Sequence, residues 1–155
     1  LDAVMAEMAR VLRPGAVFIF CVPNHQFLAN LSVSNFFDRV GLEGLADAYR
    51  AFFNRISRHH HCDSPEVWGE RLNRAGFEVE RWWHYFSPSA LHTLEWGHYL
   101  GLPSLICQKL FKKWILAPTR WNLALTLGIT RPIYDEAREQ EHGAYTFYIV
   151  RRKAA

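Results

Sequence analysis

Residues 59–62, His-His-His-Cys, form the densest run of chemically capable side chains in the sequence. Imidazole and thiolate are ligands that Zn²⁺ prefers. Neighbouring side chains of an extended segment point to different sides, and no C-x-x-C pair supplies further ligands, so we predict no metal site. A neutral imidazole titrates near physiological pH, which makes His60 and His61 candidate general bases and His59 a candidate substrate contact. The alternative is a solvated loop without chemistry.

A second candidate site is the tripeptide Pro23-Asn24-His25, which follows the apolar run AVFIFCV at 16–22. In open α/β sheets, ligands bind beyond the carboxyl ends of the strands. The position therefore predicts that Pro23, Asn24 and His25 contact a substrate, with His25 also a candidate catalytic base. The alternative is that Pro-Asn only ends the strand, since both residues are common in turns.

An aromatic stripe marks the helix predicted before the histidine run. Tyr49 and Phe53 share one face of this helix with Leu45, Phe52 and Ile56. Such a stripe is more often core than binding surface. In a helix that covers a pocket the two roles coincide, so Tyr49 and Phe53 are further candidate substrate contacts.

The elements that must position these residues follow an α/β pattern. The run at 16–22 lacks polar alternation, which is typical of a strand in a sheet covered on both faces. A helix precedes it at 1–12, a second helix begins at Ser64-Pro65, and further strands are predicted at 78–86 and 144–150. The intervening segments are too long for unstructured loops, so both are predicted to be helical, the later one in short helices broken at Pro103, Pro118 and Pro132.

Composition fits a single globular domain. The 155 residues are half hydrophobic, and the three cysteines are scattered, which suits a reducing cytoplasm better than a disulfide framework. No apolar run approaches the ~20 residues that a membrane span needs. The chain starts at Leu1 without a signal-peptide pattern, so a cytoplasmic location is expected.

Positive charge is concentrated in one block. No acidic residue occurs from Trp96 to Tyr134, although the chain's net charge is only +3. The Trp-containing segment 105–121 mixes apolar and basic residues. It is compatible with peripheral contact at a membrane surface, with nucleic-acid binding or with an ordinary solvated helix face. Nucleic acid is the least favoured partner, because no recognised nucleic-acid-binding motif accompanies the block.

Three segments resemble class I S-adenosylmethionine-dependent methyltransferases. EMARVLRPGAVFIFCVPN at 7–24 is similar to the helix and fifth strand of that family, although Ala16 replaces the usual second glycine. SPEVWGERLNRAGFEV at 64–79 resembles the next helix and the entry to strand six. AYTFYIVRRK at 144–153 is similar to the terminal strand seven.

The resemblance implies the C-terminal part of a Rossmann-like fold. It implies a three-stranded mixed sheet in the order 5-7-6, with the last strand central and antiparallel to both neighbours. The implied scaffold comprises 1–24, 64–86 and 143–153, with a helical lid at 25–63 and a second helical insert at 87–142. The strand at 16–22 would then lack its neighbour, and Phe18 and Phe20 would lose part of their cover, so self-association through this edge is expected.

The resemblance also implies methyl transfer from S-adenosylmethionine to a small-molecule or lipid-like acceptor. The family's cofactor lies over strands one to four, next to a glycine-rich turn. This chain contains no G-x-G, so no residue of it is assigned to cofactor binding, and the cofactor site is expected in a missing N-terminal half. The alternative from another functional class is a non-catalytic binding module, membrane-peripheral through segment 105–121.

Overall fold

The computed structural model describes residues 1–117 and 119–154, without the side chains of residues 98–100 and 122. Groups of helices separate the three strands along the chain. The elements are α1 (Asp2–Val11), β1 (Val17–Pro23), α2 (Gln26–Ala29), α3 (Ser32–Arg39), α4 (Glu43–Ile56), α5 (Pro65–Arg74), β2 (Phe77–Tyr85), α6 (Pro88–Leu100), α7 (Leu102–Phe111), α8 (Arg120–Tyr134) and β3 (Tyr145–Arg152).

Local signals account for the bounds of α5, the helix that covers the sheet. Pro65 opens it, where its fixed φ suits the first helical turn and its missing N–H costs no hydrogen bond. Gly76 follows its end with a φ of 86°, a left-handed conformation that glycine adopts without strain. Trp68 and Leu72 on the intervening turns are buried against the sheet.

The sheet has β3 in the middle, antiparallel to β1 on one side and to β2 on the other. Tyr148 is the centre of the register, opposite both Phe20 and Trp82. This pairing of the three segments agrees with the expected one. The predicted mixed sheet is wrong, because a central strand antiparallel to both neighbours makes every pair antiparallel.

The two faces of β1 differ in exposure, which corrects two expectations. Phe18 and Phe20 stack on each other and pack into the core between the sheet, α1 and α5. Val17 and Ile19, on the opposite face, are 44% and 54% exposed. The sheet is therefore not covered on both faces along β1, and the bare side chains are Val17, Ile19 and Cys21, not Phe18 and Phe20.

A second core joins the first insert to the carboxyl end of β1. Phe27, Leu31 and Phe53 are fully buried there with Leu91 of α6 and Ala144, which precedes β3. Both inserts are helical over most of their described residues, as the sequence predicts. Among the described residues no helix is sufficiently long and apolar to span a membrane.

Two details of the inserts differ from the sequence pattern. On α4 the buried side chains are Ala46 and Phe53, whereas Leu45, Phe52 and Ile56 are exposed, so the predicted stripe is only partly correct. Helix α8 runs through Pro132 to Tyr134, so no break occurs there. Proline removes only one hydrogen bond so close to a helix end. Pro103 lies in the first turn of α7, after the break that follows α6, and Pro118 lies outside the described residues.

Candidate active site at the carboxyl edge of the sheet

Three strand ends meet at one edge of the sheet. Because β1 and β2 are both antiparallel to β3, they run parallel to each other, and their carboxyl ends lie beside the amino end of β3. Thr146 of β3 is opposite Val22 on one side and His84 on the other. Asn24 and His25, which follow β1, thereby come close to His84, which is 60 residues away from Asn24 in the sequence.

Asn24 is a fully buried connector at this edge. Its Oδ1 accepts a hydrogen bond from the N–H of Gln26 at 2.9 Å. Its Nδ2 donates to the carbonyl oxygen of Gly143 at 2.9 Å and to Thr146 Oγ1 at 3.0 Å. Both amide hydrogens are engaged, so Asn24 positions the turn after β1 and the start of β3 and does not face a substrate as predicted.

His84 is held by the same network. Its Nδ1 lies 2.8 Å from Thr146 Oγ1 and 3.0 Å from Asn24 Nδ2. The Asn24 amide nitrogen cannot accept a hydrogen bond from an Nδ1–H, and the Thr146 hydroxyl can donate its hydrogen to Nδ1. Nδ1 is therefore the acceptor, and the proton of the neutral ring lies on Nε2. Burial lowers the pKa of His84, the charge of His25 lowers it further, and Glu66 partly opposes this shift. His84 is therefore a neutral imidazole that presents an N–H donor.

His25 lies next to this ring on the solvent side. It occupies the N-cap position of α2, and its ring centroid is 6.0 Å from that of His84, with the rings edge to face. His25 is exposed, unlike the buried Asn24 that precedes it. The sequence position after β1 thus places the exposed imidazole of His25 beside the partly buried imidazole of His84.

His59 is the one member of the histidine run that reaches the edge of the sheet. It packs edge-on against Phe27, and the Tyr145 hydroxyl lies 3.4 Å from its Nε2. Burial is the main cause that lowers the pKa of His59, and burial also raises the pKa of Tyr145 to about 12. A neutral phenol thus faces a neutral imidazole. The buried Nδ1 of His59 has no hydrogen-bond partner among the described residues.

His60 and His61 are exposed, and the described contacts do not join them to the other histidines. Nδ1 of His61 lies 3.8 Å from a carboxylate oxygen of Asp63. Pro23 ends β1 opposite Tyr145 and is partly buried. The structure therefore brings His25 and His59 to the edge of the sheet and leaves His60 and His61 on the surface.

Tyr49 and Phe53 belong to the supporting layer. The hydroxyl of Tyr49 donates to Glu95 Oε1 at 2.8 Å. Glu95 is fully buried and also accepts hydrogen bonds from Ser32 and Val33 at the start of α3, where the helix dipole favours a negative charge. Phe53 is fully buried against Phe27. Tyr49 thereby joins α4 to α6, and Phe53 joins α4 to α2. The buried Phe53 does not face a substrate as predicted, whereas the contact predicted for the half-buried Tyr49 stays a prediction.

Sequence reasoning missed His84, Tyr145, Thr146 and Glu95. His84 stands in the run WWHY on the strand that would correspond to strand six, away from the expected cofactor, where packing is the simpler interpretation. The available signal was its place at the end of a strand that would be parallel to β1. An apolar cavity of about 610 Å³ lies between the end of β2 and the segment after α8, and it is lined by Trp83 and Tyr85 on the strand face opposite to His84.

In the described residues, no group of three His, Cys, Asp or Glu side chains is arranged to hold a metal ion. The chain matches no protein-family model, no curated protein and no solved structure. The geometry of Asn24, His25, His59, His84, Tyr145 and Thr146, hereafter the histidine cluster, is therefore the basis for a functional assignment.

Proposed function

We propose that this chain is the C-terminal, acceptor-binding part of an S-adenosylmethionine-dependent methyltransferase. The observation that carries the proposal is the convergence of Asn24, His25 and His84 at the carboxyl end of β1, the edge where α/β enzymes bind ligands. The similarity of 7–24, 64–79 and 144–153 to scaffold segments of that family supports the reaction class.

The cofactor does not fit the residues of this chain. A glycine-rich turn would let the backbone approach it, but the sequence contains no G-x-G. Val17 and Ile19 of the edge strand β1 expose apolar side chains, whereas ribose hydroxyls need a polar partner such as a carboxylate. In the proposed protein, S-adenosylmethionine supplies an electrophilic methyl group and is held by strands that this chain does not contain.

The histidine cluster can bind and deprotonate an acceptor. The lone pair of an acceptor oxygen or nitrogen must be available, so a hydroxyl or ammonium group must lose its proton. His25 is accessible and can take that proton, while the Nε2–H of His84 can donate a hydrogen bond that orients the acceptor. General-base catalysis of this kind contributes about 10²–10⁴ in rate. Positioning of the acceptor supplies the rest of this chain's contribution.

The first test concerns the cofactor. Calorimetric titration of the 155-residue chain with S-adenosylmethionine should give no measurable heat of binding. A polypeptide translated with the upstream part of the gene should bind it, and a strand followed by G-x-G should stand roughly 60–90 residues before Leu1. Micromolar binding by the 155-residue chain, or an upstream sequence without that turn, would overturn the proposal.

The second test concerns the histidines in that longer polypeptide. Transfer of a radiolabelled methyl group into an extract from cells that lack the gene should fall by about 10²–10⁴ on His25→Ala substitution, the contribution of a general base. His61→Ala is the matched control and should leave transfer unchanged. Equal transfer by the His25 variant and the wild type would remove His25 from the mechanism.

A non-catalytic binding module is the second candidate, because α7 and α8 expose a large apolar surface that the histidine cluster does not use. The two functions differ in outcome. An interaction module would retain its partner when His25 is replaced and would transfer no methyl group at any substrate concentration.

A further inference from the structure

Helices α7 and α8 and the segment between them expose apolar side chains over residues 102–131, here called the α7–α8 surface. No side chain of α7 is buried. Leu110, Trp121 and Leu125 are 70%, 75% and 73% exposed. The interpretation of segment 105–121 as an ordinary solvated helix face requires an opposite face that packs down. On α7 that face, with Ser104, Cys107 and Gln108, is only half-buried, and no described residue of the segment is fully buried.

The contact between α8 and α6 is open. A cavity of about 900 Å³ separates them, with Trp96 on one side and Thr126 and Ile129 on the other. Contiguous exposed apolar patches beyond a few hundred Å² are rare on soluble monomers and mark sites of interaction. The α7–α8 surface therefore has the properties of a docking surface.

The charges identify the class of partner. The α7–α8 surface carries Lys109, Lys112, Lys113, Arg120 and Arg131 and has no acidic residue. Two tryptophans, Trp114 and Trp121, are exposed among these cations. Exposed tryptophan and aliphatic side chains mixed with lysine suit the interfacial region of a bilayer, where the rings insert at headgroup depth and the cations attract anionic lipid.

The same charges disfavour other occupants. A second copy of the chain would bring two cationic surfaces together, and such like-charge contact is unfavourable. Nucleic acid would use the cations but leave most of the exposed leucine and isoleucine side chains in water. No described helix is long and apolar enough to cross a bilayer, so the mode of contact is interfacial.

We propose that the α7–α8 surface binds the headgroup region of an anionic lipid bilayer. The inference is independent of methyl transfer, because the surface and the histidine cluster lie on different elements. It adds a location for the protein's activity: the histidine cluster would work on acceptors at or near a membrane surface.

The experiment is co-sedimentation of the 155-residue chain with vesicles. Phosphatidylcholine vesicles are compared with vesicles of phosphatidylcholine and phosphatidylglycerol in a roughly two-to-one ratio, which carry a negative surface potential. Binding to the mixed vesicles should exceed binding to the neutral ones, should fall with added salt, and should shift tryptophan emission to shorter wavelength.

Two pairs of variants separate the charge from the apolar contribution. Lys109→Gln/Lys113→Gln should lower the partition coefficient by roughly 30-fold. Its control, Arg39→Gln/Arg74→Gln, removes two exposed cations from α3 and α5 and should bind as the wild type does. Lys112 is left unchanged because its backbone is left-handed, with a φ of 57°.

For the apolar part, Leu110→Ser/Leu125→Ser should lower partitioning by about tenfold or more. The control Val4→Ser/Val11→Ser removes two exposed side chains from α1 and should have little effect. Circular dichroism confirms that each variant is folded, so that a loss of binding reports on the surface.

Four outcomes overturn the proposal. The first is absence of binding to the mixed vesicles, and the second is equal loss in a variant and its control. The third is a dimer in sedimentation velocity that Leu110→Ser/Leu125→Ser dissociates while vesicles remain unbound. The fourth is binding of single-stranded RNA without vesicle binding at the same salt concentration, which would assign the cations to nucleic acid.

Discussion

Replacing Asn24 with alanine should destabilise the whole domain, because this one side chain joins three segments at the edge of the sheet. The substitution removes the acceptor for the Gln26 N–H and the donor for the Gly143 carbonyl and the Thr146 hydroxyl. Gly143 and Thr146 are buried and cannot recover these bonds from bulk water. At about 1–3 kcal/mol for each buried group left without a partner, the expected loss is about 2–5 kcal/mol in the free energy of unfolding.

Such a loss is a large fraction of the free energy of unfolding of a typical domain, which is about 5–15 kcal/mol. Urea unfolding followed by tryptophan fluorescence measures it. Asn73→Ala is the matched control, because Asn73 is exposed at the end of α5 and its side chain contacts only Lys153 among the described hydrogen bonds. The control should change the unfolding free energy by less than about 0.5 kcal/mol.

A second readout tests the network itself. The Asn24 amide nitrogen lies 3.0 Å from Nδ1 of His84, where it cannot accept a hydrogen bond from a protonated Nδ1–H, and so favours the neutral ring. In Asn24→Ala the pKa of His84 should move up toward its ordinary value, which NMR titration of the ring protons measures. An unfolding free energy within about 0.5 kcal/mol of the wild type, together with an unchanged His84 titration, would refute the connecting role of Asn24.

Three further predictions concern the same scaffold. Gly143→Ala should lower the melting temperature, because a β-carbon at this position would overlap the backbone at the end of β2. Gly69→Ala is the control and should not lower it, because a β-carbon there meets open space. Equal melting temperatures of the two variants would contradict the prediction. Ile19→Lys should reduce self-association in sedimentation velocity at little cost in the free energy of unfolding, because Ile19 is exposed. Phe18→Lys should lower the free energy of unfolding by about 1.5–3 kcal/mol or more, because Phe18 packs on the core. The reverse order of stability would show that the faces of β1 are wrongly assigned. Burial depresses the folded-state pKa of His84 below the ordinary 6.5, so the contribution of His84 to stability is complete above pH 6.5 and is lost as the pH falls below that value. His84→Gln should therefore flatten the decline of the urea midpoint as the pH is lowered below 6.5. An unchanged slope would show that His84 does not cause this decline.

Local sequence signals located the three strands and most of the helices, although not the continuation of α8 through Pro132. Pro65 and Gly76 bracket α5, and the uninterrupted apolar run at 16–22 is a strand in the structure, because these signals act between neighbouring residues. The position of Asn24 and His25 at the end of a strand was likewise visible, since it follows from chain order. The pairing of the three strands agreed with the order that the resemblance implied.

Which side chains meet depends on long-range packing. His84 joins Asn24 through the antiparallel register with Thr146, which is 122 residues from Asn24, and no local pattern carries that register. The face of β1 that is covered depends on where α1 and α5 pack, and the partner of Tyr49 is Glu95 on a helix from the other insert. The exposure of the α7–α8 surface was equally invisible in sequence, because an apolar residue becomes core or surface only when another element covers it.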